Sequence, residues 1–219
     1  MPLVPEALTA LACAEDPTVA REALKAARRA LGEEAERYEP LMELLCRRAT
    51  ELARLRRLAG SDELTGLANR RAFKLALDRE RARLERGGIG PAVVLIDLDD
   101  MKSINDDLGH AAGDEALQHV AEALQEAVRG SDLVARLGGD ELALLLPETC
   151  AQGARAVAER ARRFVEARSV RGRPLRTSVG WAVASPDEPD ALLQTADARL
   201  YADKRRRRRG RSRSPSAAA

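Results

Sequence analysis

Apolar positions recur in steps of three and four from residue 18 to 59: Leu24, Ala27, Leu31, Ala35, Tyr38, Met42, Leu45, Ala49 and Leu52. Arginine and glutamate fill the gaps, which predicts an amphipathic, coiled-coil-like helical segment. Pro40 interrupts the stripe, so the segment is two helices or one kinked helix. The stripe suits self-association or docking of another protein; packing on its own chain is the plainer alternative. A turn-rich join, "GSDELTGLANRR", follows, and Ala72 to Arg86 is a helix stopped by "GGIGP".

The period then changes. "AVVLIDLD" from Ala92 is a continuous β-branched run, as in a strand buried on both faces. A short helix or loop to Leu108 and a helix over Glu115–Val128 lead to "DLVARL", a tight "GGDE" turn and the returning strand "LALLLP". A helix over Ala151–Arg168, the strand "LRTSVGWAVA" and the final helix "DALLQTADARLYADK" complete the chain. The order β-α-β-β-α-β predicts an α/β (α+β) fold of ferredoxin-like type. Its first strand lies beside the hairpin, with the C-terminal end of that strand near the hairpin turn.

Charge adds one asymmetry. The 219 residues carry a net charge of +2, but Lys204 to Arg213 holds eight of the 37 basic residues. The rest has 29 basic against 35 acidic residues, a net of −6. Such a body is not a general nucleic-acid binder. The arginine run alone would bind phosphates by charge, or be a solvated end. No apolar run approaches the roughly 20 residues of a membrane span. Cys13, Cys46 and Cys150 have no metal or disulfide spacing and are expected as reduced, buried thiols. The chain reads as cytoplasmic.

Candidate chemistry sits where the fold converges. Asp97 ends the first strand; Asp140 and Glu141 stand at the hairpin turn. Three carboxylates at close range repel, and a hard divalent cation is their natural guest, Mg²⁺ completing its shell with substrate phosphates. An ordinary hairpin with solvated acids is the alternative. Gly138 and Gly139 allow a tight turn and close approach of a ligand. In "KSINDDLGHAAGD", Asn105, His110 and Asp114 offer groups for a guanine edge; Asp114 otherwise serves as a helix-start acid.

These residues bring a resemblance into view. "DELTGLANRRAF", "DLDDMKSINDDLGHAAGDEAL", "RLGGDEL" and "ADARLYADK" stand in order, and the chain from about Leu58 to Arg211 resembles a GGDEF-domain diguanylate cyclase. The resemblance implies a polymerase-palm-like sheet and the joining of two GTP into cyclic di-GMP, with loss of two pyrophosphates. A homodimer would present one GTP from each subunit. Asp97, Asp140 and the Leu98 carbonyl would bind Mg²⁺ (or Mn²⁺). Glu141 would hold a second ion or help deprotonate the hydroxyl. Asn105 and Asp114 would read guanine with support from His110. Lys102 and Lys204 would contact the triphosphate, joined by Arg208 or Arg211.

Arg129 and Asp132, in "RGSD", match the family's inhibitory product site; otherwise they are a surface pair. The family's phenylalanines are replaced by Met101 and Leu142, and its "AKxxGRN" ending by "DKRRRRRGRS". Three regions are expected: a helical stalk over 1–57 for dimerisation or a regulatory partner, a catalytic domain over 58–205 and a basic tail over 206–219.

Overall fold

The computed structural model describes residues 17–32, 35–185 and 191–211. The chain divides into two compact units, Met1–Gly60 and Ser61–Ala219. The division falls three residues beyond the boundary expected from the motifs. Most of the 206–219 segment, and Cys13, lie outside the described residues.

The first unit is a helical hairpin of α1 (Pro17–Leu31) and α2 (Ala35–Gly60). The break falls at Gly32, whose φ of +53° is the left-handed geometry that ends helices. Pro40 lies inside α2. In the second turn of a long helix it removes one hydrogen bond, which the remaining turns withstand. Ala20, Ala27, Met42 and Ala49 are buried between the helices, with Tyr38, Leu45 and Cys46 packed around them. Part of the apolar stripe is therefore satisfied within one chain. An ion pair from Arg28 to Glu39 ties the helices together. Leu41, Leu44 and Leu55 stay exposed.

The second unit has a five-stranded sheet. Its elements are β1 (Ala68–Asn69), α3 (Arg70–Glu85), β2 (Ala92–Leu98), α4 (Met101–Leu108), α5 (His110–Ala127), β3 (Leu133–Gly138), β4 (Glu141–Leu146), α6 (Ala151–Glu166), β7 (Thr177–Val183) and α7 (Ala191–Arg211). A small hairpin, β5 (Ser169–Val170) and β6 (Arg173–Pro174), stands apart from the sheet. The sheet order is β1-β3-β4-β2-β7, so β2 is central and antiparallel to both neighbours. This is the expected βαββαβ arrangement. The short β1, parallel to β3, is an addition from the stretch read as a turn.

Every residue of β2 is buried, as its unbroken apolar run implies. One face of the sheet packs Val94, Ile96, Leu142 and Leu144 against α5 and α6. The other packs Leu95, Ala143 and Leu145 against Phe73 and Leu77 of α3 and Leu192 and Leu200 of α7. Gly180 of β7 permits that second layer, because a Cβ there would stand 2.2 Å from the Ala196 carbonyl oxygen. Leu142, in place of the family's phenylalanine, is fully buried.

Three local expectations are corrected. α4 is a helix, and α5 begins at His110 directly after Gly109, whose φ of +83° separates the two. Asp114 is thus past the first turn of α5 and is not a helix-start acid. Cys150 is exposed, not buried. Finally, α7 runs through the arginines to Arg211, so residues 206–211 of the expected tail are helical. Among the described residues no helix is long and apolar enough to cross a membrane.

Candidate active site

The strand register builds the site. Asp97 pairs with Glu141 across β2 and β4, and the Leu98 N–H donates to the Asp140 carbonyl at 3.1 Å. The hairpin turn is irregular between Arg136 and Gly138. Gly139 has φ +53° and Gly138 φ +146°, conformations that side chains resist. Arg136 clamps the turn: its Nε and Nη2 donate to the Gly139 carbonyl at 3.0 and 2.9 Å, while Nη1 meets Asp62 at 3.1 Å. Arg70 holds the other side, its Nε donating to the Leu137 carbonyl at 2.6 Å. Neither arginine was singled out from the sequence. The signal was their place in "NRR" and "RLGGDEL", where a charged side chain is able to satisfy a bent backbone.

A cleft of about 690 Å³ opens at this turn. Asp97, Asp140 and Leu98 line it, with Lys102, Lys204 and Arg208. All six were candidates from the sequence. Arg176 and Arg207 also line it and were not foreseen. Arg207 stands 3.4 Å from Asp99 and is ion-paired with Glu166. Of the two candidate phosphate arginines, Arg208 is therefore in the cleft; the side chain of Arg211 lies outside the described residues.

Asp97 is 5% exposed. Burial pushes its carboxyl above the usual range; the Lys204 ammonium, 2.5 Å away, opposes that, and the charges of Asp140 and Asp99 add to it. A buried carboxylate facing a second one in an oxygen-lined cleft suits a hard divalent cation, so these residues fit the ion that the resemblance implies. The fit is to a pair of carboxylates. Among the described residues, no three of Asp, Glu, His or Cys stand close enough to cage a metal by themselves. Glu141 shares the sheet face of Asp97, but its carboxylate lies 3.6 Å from Arg70 and is exposed. The expected convergence of three acids is thus reduced to two, with the Glu141 carboxylate beside Arg70 instead.

The guanine candidates are grouped differently. Asn105 on α4 packs over Gly113 of α5: a Cβ at Gly113 would lie 2.0 Å from Asn105 Oδ1 and 2.8 Å from the Met101 methyl. Asn105 Oδ1 is buried and has no hydrogen-bond partner among the described residues. Such an orphan acceptor costs about 1–3 kcal/mol, so a ligand donor is well placed to recover it. Asp114, one residue from Gly113, and His110, the first residue of α5, are both exposed.

At the opposite end of β3, Arg129 Nε meets Asp132 at 2.9 Å, and Arg129 Nη2 donates to the Pro147 carbonyl at 2.9 Å and Thr149 Oγ1 at 3.0 Å. Both residues border a shallow cleft of about 320 Å³.

The family described as "Diguanylate cyclase, GGDEF domain" matches residues 59–210. Diguanylate cyclase DosC of Escherichia coli K12 is 40% identical over 156 residues, covering 68% of this chain and 34% of DosC. Diguanylate cyclase DgcP of Pseudomonas aeruginosa is 37% identical over 155 residues, covering 68% of this chain and 23% of DgcP. The chain thus spans about a quarter to a third of the length of these curated relatives. Among solved structures, the coiled coil and GGDEF domain of DgcB from Caulobacter crescentus, in complex with c-di-GMP, aligns with a TM-score of 0.67 at 34% identity. It covers 78% of this chain and 94% of that one. The diguanylate cyclase SiaD of Pseudomonas aeruginosa, in complex with its activator SiaC, aligns with a TM-score of 0.66 at 32% identity, covering 86% and 76%. With its signature turn, its sheet order and its motifs all in register, the chain belongs to the GGDEF-domain family of diguanylate cyclases.

Proposed function

We propose that the protein condenses two GTP into cyclic di-GMP and two pyrophosphates, with one GTP held by each subunit of a homodimer. The observation that carries this reading is the single cleft joining Asp97 and Asp140 to Lys102, Lys204 and Arg208. Acids for a metal and cations for a triphosphate stand there within reach of one ligand.

Asp97, Asp140 and the Leu98 carbonyl would hold Mg²⁺ or Mn²⁺, with Glu141 available on leaving Arg70. Such an ion supplies charge stabilisation at the phosphoryl oxygens and a more acidic attacking hydroxyl. The chain's own groups do the rest. Lys204 balances the Asp97 carboxylate and offers its ammonium to the triphosphate. Lys102 and Arg208 orient the phosphates, so that the α-phosphorus faces the 3′-hydroxyl of the other GTP. Asn105 and Asp114 accept the guanine N–H groups, with His110 beside them at the start of α5. Arg136 and Arg70 keep the turn fixed while charge develops.

Arg129 and Asp132 are proposed to bind the product and slow the enzyme; an arginine fork suits a phosphate or a guanine edge. The helical hairpin is proposed to bring two chains together through Leu41, Leu44 and Leu55, or to receive a regulatory protein. Linkage of this kind raises the effective concentration of the second catalytic unit to roughly millimolar.

Incubation of the full chain with GTP and Mg²⁺ tests the reading. Chromatography should show cyclic di-GMP and pyrophosphate growing in a 1:2 ratio. Binding of GTP without turnover would instead make the chain a silent nucleotide-binding module. In a dilution series, Leu44→Glu should lose specific rate at low protein concentration and regain it at high concentration. An unchanged rate at every dilution would remove the hairpin's outer face from assembly.

A further inference from the structure

A second cleft, of about 830 Å³, lies along β7 between α6 and α7. It shares no lining residue with the catalytic cleft except through neighbours on α7: Asp203 and Arg206 face this cleft, Lys204 and Arg207 the other. Five arginines line it, Arg155, Arg162, Arg163, Arg199 and Arg206, against two acids, Glu159 and Asp203. Nothing in the catalytic reading uses this concentration of charge. It shares no lining residue with the cleft at the Arg129–Asp132 pair either.

The cations are organised, not merely crowded. β7 is a sheet edge, so its outer backbone groups need partners. Asp203, 5% exposed, accepts the Val179 N–H at 3.0 Å. The same carboxylate fixes Arg162 at 2.5 Å and Arg206 at 2.5 Å. Each of those forks keeps further N–H groups for another acceptor. Arg199 donates to the Trp181 carbonyl at 2.7 Å and lies over the Trp181 ring at 4.6 Å. Arg163 is exposed and has no ion pair among the described residues. An indole, a guanidinium stacked on it and a surrounding arc of guanidinium forks are the parts that recognise a nucleobase and its phosphate.

We propose that this cleft is a second ligand site, one that takes a free nucleotide, with its base against the Arg199–Trp181 platform and its phosphate among Arg163 and the N–H groups that Arg155, Arg162 and Arg206 keep beyond their pairs with Glu159 and Asp203. The volume suits a ligand of that size. An extended nucleic-acid strand is the less favoured occupant, since the cleft is bounded on both sides by helices. The site does not depend on the cyclase reading.

Trp181 is the only tryptophan of the chain and lines this cleft, not the catalytic one. The full chain is titrated with each of the four ribonucleoside monophosphates, following Trp181 emission at fixed ionic strength and without divalent ions. At least one should give a saturable change with a Kd of about 1 mM or tighter. The variant Arg155→Ala with Arg163→Ala, both on the exposed side of α6, should weaken it about tenfold or more. Its circular dichroism should match the parent. No saturation with any of the four, or an equal Kd in the double variant, overturns the proposal. Inorganic phosphate matching the best nucleotide overturns the base platform. A single-stranded RNA ten-mer that binds where monophosphates do not would reassign the cleft to nucleic acid.

Discussion

The two ends of β3 carry similar turns, each with an arginine and nearby acids. At the C-terminal end, Arg136 and Arg70 are committed to backbone carbonyls of the turn, and Asp140 stays in the cleft with Asp97. At the N-terminal end the arginine itself is the candidate ligand group, and its bonds to Asp132, Pro147 and Thr149 are already made. One turn is preorganised and presents Asp140 beside Asp97, whose carboxylate is already paired with Lys204 and must yield that partner to a guest. The other is satisfied, and any ligand must displace existing partners. A preorganised site contributes directly to rate; a satisfied one responds only when ligand accumulates, as the proposed product site would.

The largest effect should come from the C-terminal end. Asp97→Asn and Asp140→Ala should each lower turnover by about 10²-fold or more, since each removes a proposed metal ligand. Folding should survive, because Asp140 raises the cost of charging the buried Asp97. Near-normal initial rates in either purified variant would break the comparison at its stronger end.

Arg136→Ala should come next. It touches no candidate substrate group, yet it frees the Gly139 carbonyl and Asp62 together. A displaced turn should cost roughly 30-fold in kcat with a smaller change in KM, since misplacement of a reacting group is felt mainly in the transition state. Steady-state rates against GTP concentration measure the split. A loss confined to KM would mean that Arg136 serves binding and not the shape of the turn.

These arginines also show how far the sequence could be read. Strand order and the Asp97–Asp140 meeting were legible, because the buried run of β2 and the hairpin glycines fix the register. The partners of Arg70 and Arg136 were not, because a clamp on a carbonyl leaves no spacing pattern. The start of α5 was hidden by Gly109, which ends one helix and begins the next without a loop. The arginine cleft was hidden more completely. Its residues come from α6 and α7, far apart in sequence, and single arginines on helices read as solvated faces. Even Glu141, expected beside a metal from the signature, has its carboxylate 3.6 Å from Arg70, a pairing that only the fold reveals.

At the N-terminal end, Arg129→Ala should leave the initial rate nearly intact and raise the inhibition constant for cyclic di-GMP about tenfold, the loss of one charged, bifurcated contact. Rates at several added product concentrations give this value. Since Arg129 also braces Pro147 and Thr149, Arg129→Lys separates the roles. It should keep part of the brace but lose the fork, and inhibition should stay weak. An unchanged inhibition constant in both variants would leave "RGSD" as a structural brace only and end the parallel between the two turns.

The smallest effect concerns acid stability and again belongs to the C-terminal turn. Asp62 is held by the Thr65 hydroxyl at 2.6 Å, the Thr65 N–H at 2.9 Å and Arg136 at 3.1 Å. Burial alone would raise its carboxyl; the bonds from Thr65 and Arg136 outweigh burial and hold it below its ordinary value of 3.8. A depressed carboxyl binds fewer protons in the folded state than in the unfolded one. Its contribution is therefore fully present above about pH 4–5 and is lost as pH falls through the folded value. Asp62→Asn should destabilise the protein by about 1 kcal/mol at neutral pH, the worth of a few partly exposed bonds. The gap from the parent should narrow progressively as the pH falls below the ordinary value of 3.8. Urea midpoints at a series of pH values measure it. A gap that stays constant from pH 7 to pH 3 would show that Asp62 acts through its shape and hydrogen bonds, with its charge contributing nothing to the clamp on Arg136.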